Sequence, residues 1–227
     1  MSWTEFTALL VLATAVSFTP GPNTTLSTAL AVNAGLRGAM PFIGAVPVGW
    51  SCLLLLCAGG VGAAVAAVAP LRWAVLLLGV GYMLWLAWRL AHSAALAQAP
   101  NQTGRGAGVG FVQGVGLQFL NLKAWMLALS IVAGWVAGRP DAPARLGLVL
   151  PVMAVFAFAS NFTYALVGAL LRRWLAQGRR LLWFNRAMAL ALAATAGWMA
   201  WSAMDMNAIH SEAACAFCTS ANGHFSS

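Results

Sequence analysis

Hydrophobic residues run along this chain in six long blocks, and the polar residues between them are few and mostly basic. The blocks fall at about residues 4–33, 39–68, 71–91, 107–137, 146–171 and 186–204. A helix needs about 20 apolar residues to span a bilayer, so each block predicts a membrane helix. Blocks one, two and four are roughly 30 residues long, which leaves length for a tilt, a re-entrant turn or a break.

The first block is interrupted. No charged residue lies between Phe6 and Leu36, yet Thr19-Pro20-Gly21-Pro22-Asn23 stands in its middle. Proline removes a backbone donor and glycine loosens the chain, so a break in the helix is predicted there. Within lipid, broken backbone survives only against protein or a water-filled cavity. Discontinuous helices of this kind are where secondary transporters hold substrate and coupling ions. Block two carries Pro41 and Pro47 with Gly44 and Gly49 beside them, and block four is interrupted by Gln118, Asn121 and Lys123.

Composition agrees with a membrane protein. Of 227 residues, 62% are hydrophobic and 7% charged, against roughly 25% charged in a soluble domain. The fold class read from the pattern is an all-α integral membrane protein of six transmembrane helices. The division is a transporter domain at 1–204 and a tail at 205–227, expected to be disordered. Met1 to Thr14 lacks the basic n-region of a cleaved signal peptide. The net charge of +8 would suggest nucleic acid in a soluble protein. Here the basic residues sit between apolar blocks, so the positive-inside rule accounts for them and no nucleic-acid partner is expected. Eight arginines lie in the connections after blocks one, three and five, against three after two and four. The first set is expected to be cytoplasmic, with both termini outside. Three spans per half place the halves antiparallel, as a 3+3 inverted repeat requires. Asn23 and Asn121 hold similar places in the two halves.

A helix restarting at Pro22 leaves the amides of Asn23, Thr24 and Thr25 unpaired, a site for an anion such as a carboxylate. Asn23 and Ser27 share one face, and Thr24 and Thr28 the next. The alternative is a packed kink whose polar groups satisfy one another. Lys123 is the one charge deep within a block. A buried cation costs roughly 3 kcal/mol or more, so it faces a cavity or a partner, or else it snorkels to an interface. Asn161 and Tyr164 in block five serve either binding or helix–helix hydrogen bonding. Trp3, Trp73, Trp135, Trp174, Trp183 and Trp201 fall near block ends and read as interfacial anchors. Gly106, Gly110 and Gly114 form a small-residue ladder.

Other chemistry is thinner. Cys215 and Cys218 with His210 and His224 offer a zinc set or an external disulfide, at a spacing unlike standard zinc motifs. Cys52 and Cys57 lie about 140° apart around a helix, poorly placed to bridge. No carboxylate lies mid-span to relay protons, no nucleotide-binding loop is present, and no nucleophile–base pair suggests an enzyme. The rival readings are a divalent-cation exporter, which uses the Cys/His tail, and a membrane thiol-disulfide oxidoreductase.

These landmarks resemble the LysE/RhtB family of bacterial inner-membrane amino-acid efflux proteins. The likeness lies in Thr19-Pro20-Gly21-Pro22-Asn23, then Gly35-Leu36-Arg37-Gly38, Gly44 and Gly49, and in Phe119-Leu120-Asn121-Leu122-Lys123-Ala124-Trp125, similar to the family's Asn-Pro-Lys-Ala stretch. It covers about residues 1–204. The resemblance implies an exporter of amino acids or close derivatives, coupled to the proton motive force. It points to Pro20, Gly21, Pro22, Asn23, Asn121 and Lys123 as transport-site positions, to which the residue pattern adds Thr24, Ser27, Asn161 and Tyr164. Leu122 stands where the family has proline, so helix 1 is expected to be broken while helix 4 is open to either form. Gly49-Trp50-Ser51-Cys52 lacks the aspartate that many relatives carry after the second glycine. The expected mechanism is alternating access by a homodimer, with no cofactor, and with neutral amino acids preferred over cationic ones.

Overall fold

A computed structural model describes residues 1–92, 109–175 and 179–223, with side chains described up to residue 201 in the last stretch. All its regular elements are helices: α1 (Trp3–Phe18), α2 (Pro22–Ala58), α3 (Val61–Ala67), α4 (Ala69–Ala91), α5 (Phe111–Phe119), α6 (Leu122–Ile131), α7 (Ala142–Leu175) and α8 (Arg180–Gly223). A π-helical turn, Val132–Val136, continues α6.

Among the described residues, three helices are long and apolar enough to cross a membrane: Pro22–Ala58, Ala69–Ala91 and Ala142–Leu175. The pair Phe111–Phe119 and Leu122–Val136, bent by 69°, makes a fourth if taken as one broken span. Leucines and valines such as Val11, Leu77 and Leu170 are exposed on the outside, as a lipid-facing surface requires. The side chains of His210, Cys215 and Cys218, all of His224, and Arg105 and Gly106 lie outside the described residues. The α8 backbone runs as helix past residue 204 to Gly223.

Local chemistry explains the element ends. Ser2 caps α1, with Glu5 N–H donating to its hydroxyl (3.2 Å) and Ser2 N–H donating to the Glu5 carboxylate (2.8 Å). Proline disfavours helical geometry in the preceding residue, and α1 stops with Thr19 extended before Pro20. Pro22 opens α2. Gly35 (φ 78°, ψ 169°) turns a sharp corner within α2, between the first and second predicted blocks. That backbone conformation is open to glycine and to few other residues. The second block stops at Ala58 rather than Val68. Gly60, with φ 91°, begins the short α3, so the block's last residues form a separate helix.

Helix α2 packs chiefly on α7, and α4 on α8. Helices α2 and α7 approach closely at Gly168, where an added Cβ would lie 2.6 Å from the Thr28 carbonyl oxygen. Of the predicted glycine ladder, Gly114 packs against Phe42 and Ala45, while Gly110 meets open space. One apolar cluster gathers Leu9, Ala13, Trp50, Leu53, Trp125, Ile131 and Met153. A second gathers Leu26, Leu30, Phe42, Ile43, Leu117 and Ala165.

Two polar devices fix the frame. At the start of α1, Glu5 pairs with Arg139 (3.4 Å) and Arg145 (3.2 Å). Asp141 pairs with Arg145 (2.7 Å) and with the N-terminal ammonium (3.6 Å). Elsewhere Asn33 and Asn185 exchange amide hydrogen bonds of 2.8 and 3.1 Å, joining α2 to α8.

A cavity between two broken helices

The breaks at 19–21 and 120–121 come together around a cavity of about 100 Å³. Each leaves a helix end with freed carbonyls facing a helix start with freed amides. At the first break, the Gly21 carbonyl accepts the Thr25 N–H at 2.9 Å. The Thr25 amide is therefore engaged, contrary to expectation, and the Asn23 and Thr24 amides are the ones left over. Thr24 closes the turn itself: its hydroxyl accepts from Gly21 N–H (2.9 Å) and donates to Gly21 O (3.0 Å).

The second break forms despite Leu122 in place of proline. Helix α5 ends at Phe119 with Leu120 as its C-cap, and Asn121 turns extended (φ −97°, ψ 96°) before α6 starts. Helix α4 backs this break so closely that a Cβ at Gly79 would collide with the Leu120 carbonyl. Both breaks are finished alike. The last carbonyl of α1, Phe18 O, accepts from Tyr164 Oη–H at 2.9 Å, and the last carbonyl of α5, Phe119 O, accepts from Trp125 Nε1–H at 2.9 Å.

The cavity wall contains seven of the ten predicted site residues: Gly21, Pro22, Asn23, Thr24, Asn121, Lys123 and Asn161. The other three stand apart from it. Pro20 is exposed. Ser27 is buried behind the wall and donates to Asn161 Oδ1 at 2.8 Å. Tyr164 caps α1.

Sequence reasoning passed over Gln118 as a site residue. It is fully buried and its amide exchanges hydrogen bonds with that of Asn23, 2.9 Å one way and 3.2 Å the other. A polar side chain in an apolar block, one helical turn before Asn121, was the available signal. Trp50, Met153 and Ser160 also line the wall.

The wall holds no carboxylate. Glu5 and Asp141, the carboxylates with described side chains, are engaged in the ion network at the start of α1. Lys123 extends its ammonium over the Trp198 ring, 5.5 Å from its centroid. Asn121 is 5% exposed, and its Oδ1 is a buried acceptor with no hydrogen-bond partner.

An apolar helical bundle with a small polar cavity between opposed helix ends is the architecture of a membrane carrier. Comparison with known proteins narrows the class. The chain is 31% identical to a cysteine/O-acetylserine efflux protein of Salmonella typhimurium over 162 residues, 69% of this chain and 78% of the relative. The counterpart from Klebsiella pneumoniae is 29% identical over 189 residues, covering 83% and 94% of the two chains. That from Escherichia coli K12 is 29% identical over 198 residues, covering 85% and 95%. No family model and no solved structure matches the chain. The chain belongs to the LysE/RhtB-type family of amino-acid efflux proteins. It is a multi-pass inner-membrane transporter and not an enzyme.

Proposed function

We propose that this chain exports small neutral amino acids, cysteine and O-acetylserine first among them, through the cavity between its two helix breaks. Those two solutes are named for the efflux proteins it resembles. The observation that carries the site is the bare Asn121 Oδ1, buried in the wall of the cavity that Lys123 also lines. An acceptor left so costs about 1–3 kcal/mol, and a substrate ammonium satisfies it once the helix ends part in the transport cycle. The substrate carboxylate meets the Asn23 and Thr24 amides and the Lys123 ammonium. A wall without a carboxylate disfavours cationic side chains.

The transport cycle is alternating access, driven by the proton motive force. The unit is residues 1–204, with 205–227 an appendage dispensable for transport. Its six spans form a 3+3 inverted repeat with helices 1 and 4 broken. The matched endings of the breaks, an aromatic donor on the last carbonyl of each, support that repeat. The protein works as a homodimer with both termini outside, the orientation favoured by the arginine bias.

The metal-exporter reading finds no group of three or more His, Cys, Asp or Glu among the described residues. For the thiol-disulfide reading, Cys52 and Cys57 are free thiols.

Export from cells loaded with cysteine tests the site. Asn121→Ala lowers export at least tenfold at an unchanged membrane level of protein. Equal export by variant and wild type overturns the assignment.

A further inference from the structure

The cavity has a second unsatisfied group. Trp50 lines it and is otherwise buried, 7% exposed. It sits on α2 and belongs to the apolar cluster of Leu9, Leu53, Trp125 and Met153. Buried tryptophan usually finds an acceptor for its indole N–H, and Trp125 and Trp135 do so here, on the carbonyls of Phe119 and Glu5. Trp50 has no acceptor among the described residues. Among the described residues its nitrogen is not one of the fully buried side-chain atoms that lack a partner. The N–H is therefore reachable, on a residue that lines the cavity.

The apolar residues Val16, Val46, Leu127, Met153 and Ala157 share the wall with it, beside the small hydroxyls of Ser17, Thr19 and Ser160. The groups assigned to an amino acid's ammonium and carboxylate, Asn121 Oδ1, the Asn23 and Thr24 backbone amides and Lys123, lie on other residues of the wall. A single unpartnered donor in such a wall reads one acceptor on a short side chain. We infer that Trp50 is a specificity-determining residue, whose indole N–H hydrogen-bonds an oxygen or sulfur on the side chain of the exported amino acid. This rests on the cavity being the transport site. It adds the class of side chain that the site selects: short, uncharged and carrying an acceptor. A site built to hydrogen-bond a substrate group discriminates against the analogue that lacks it, because its own polar group is then left unpaired.

The test compares efflux of cysteine, O-acetylserine and 2-aminobutyrate from proteoliposomes holding the full chain. 2-Aminobutyrate has a short hydrocarbon side chain and no acceptor on it. Wild type should prefer the first two over 2-aminobutyrate by about tenfold or more. Trp50→Phe keeps the ring and removes the N–H. It should bring that ratio close to one by slowing cysteine and O-acetylserine at least tenfold more than 2-aminobutyrate. Trp50→Gln, which returns an N–H donor, should recover part of the preference. A wild type without preference overturns the inference whether or not the variants fold. So does a Trp50→Phe protein that exports with the wild-type ratio. A wild type that moves none of the three overturns the exporter reading and this inference with it, an outcome distinct from loss of the Trp50 role alone.

Discussion

Asn23 and Gln118 clasp each other with two amide hydrogen bonds, 2.9 and 3.2 Å, across the gap between the two broken helices. Gln118 is fully buried and its Nε2 also donates to Gly114 O at 3.2 Å. The Asn23 side chain is thereby occupied, which makes it a strut between the breaks. Removing one partner orphans the other at a cost of about 1–3 kcal/mol. Gln118→Leu and Asn23→Leu should each lower thermal stability in detergent by about that amount. The double variant should lose clearly less than the sum, because no orphan remains. Additive losses would show that the two amides act independently.

Close helix approach gives a second prediction. A Cβ at Gly168 would stand 2.6 Å from Thr28 O, so Gly168→Ala must push α7 from α2. Overpacking of this kind costs about 1–3 kcal/mol. Gly197 meets open space and Gly197→Ala should be neutral or slightly stabilising. Melting temperatures of the two variants, purified side by side, check the contrast.

Acid should loosen the ion network at the start of α1. The hydrogen bond from Arg145 holds the Asp141 carboxyl below its ordinary range, with the charges of Arg145 and the N-terminus adding to it. A folded-state pKa below the unfolded one contributes stability that is present above the ordinary value, about 3.9, and is lost as pH falls through the depressed value. The melting temperature should therefore fall as pH drops below about 4, and fall less steeply in Asp141→Asn. Parallel curves for the two proteins would remove Asp141 from the account.

Lys123 separates folding from transport. Its contact with Trp198 is worth about 0.5–1 kcal/mol at an exposed site, too little to decide the fold. Lys123→Gln should melt within a few degrees of wild type while cysteine efflux falls at least tenfold. Normal efflux would leave the lysine as a residue that only packs on a ring.

The sequence made the first break legible because Pro-Gly-Pro is a local signal, and backbone geometry obeys local chemistry. The position of the second was visible in Asn121 and Lys123, polar residues in an apolar block. Its bend was not, since Leu122 replaces the proline that would have announced it; the Leu120 carbonyl fits there because Gly79, on another helix, leaves room. The partnerships were hidden for the same reason. Asn23 with Gln118, Ser27 with Asn161 and Asn33 with Asn185 join residues 95, 134 and 152 positions apart. No periodicity reports such pairs. Tyr164 was readable as polar and mid-helix, but its role as a cap on Phe18 O depends on where α1 ends in space. The corner at Gly35 passed for a simple connection, since a lone glycine near Arg37 does not reveal its φ.

The central claim is that the amino acid is held at the cavity between the breaks, with Asn121 Oδ1 as its acceptor. Reconstituted protein, loaded with radiolabelled cysteine and given a proton gradient, measures this most directly. Wild type should release label when the gradient is imposed, and Asn121→Ala, correctly folded and equally abundant, should release it at least tenfold more slowly. Release at the same rate from both would contradict the account.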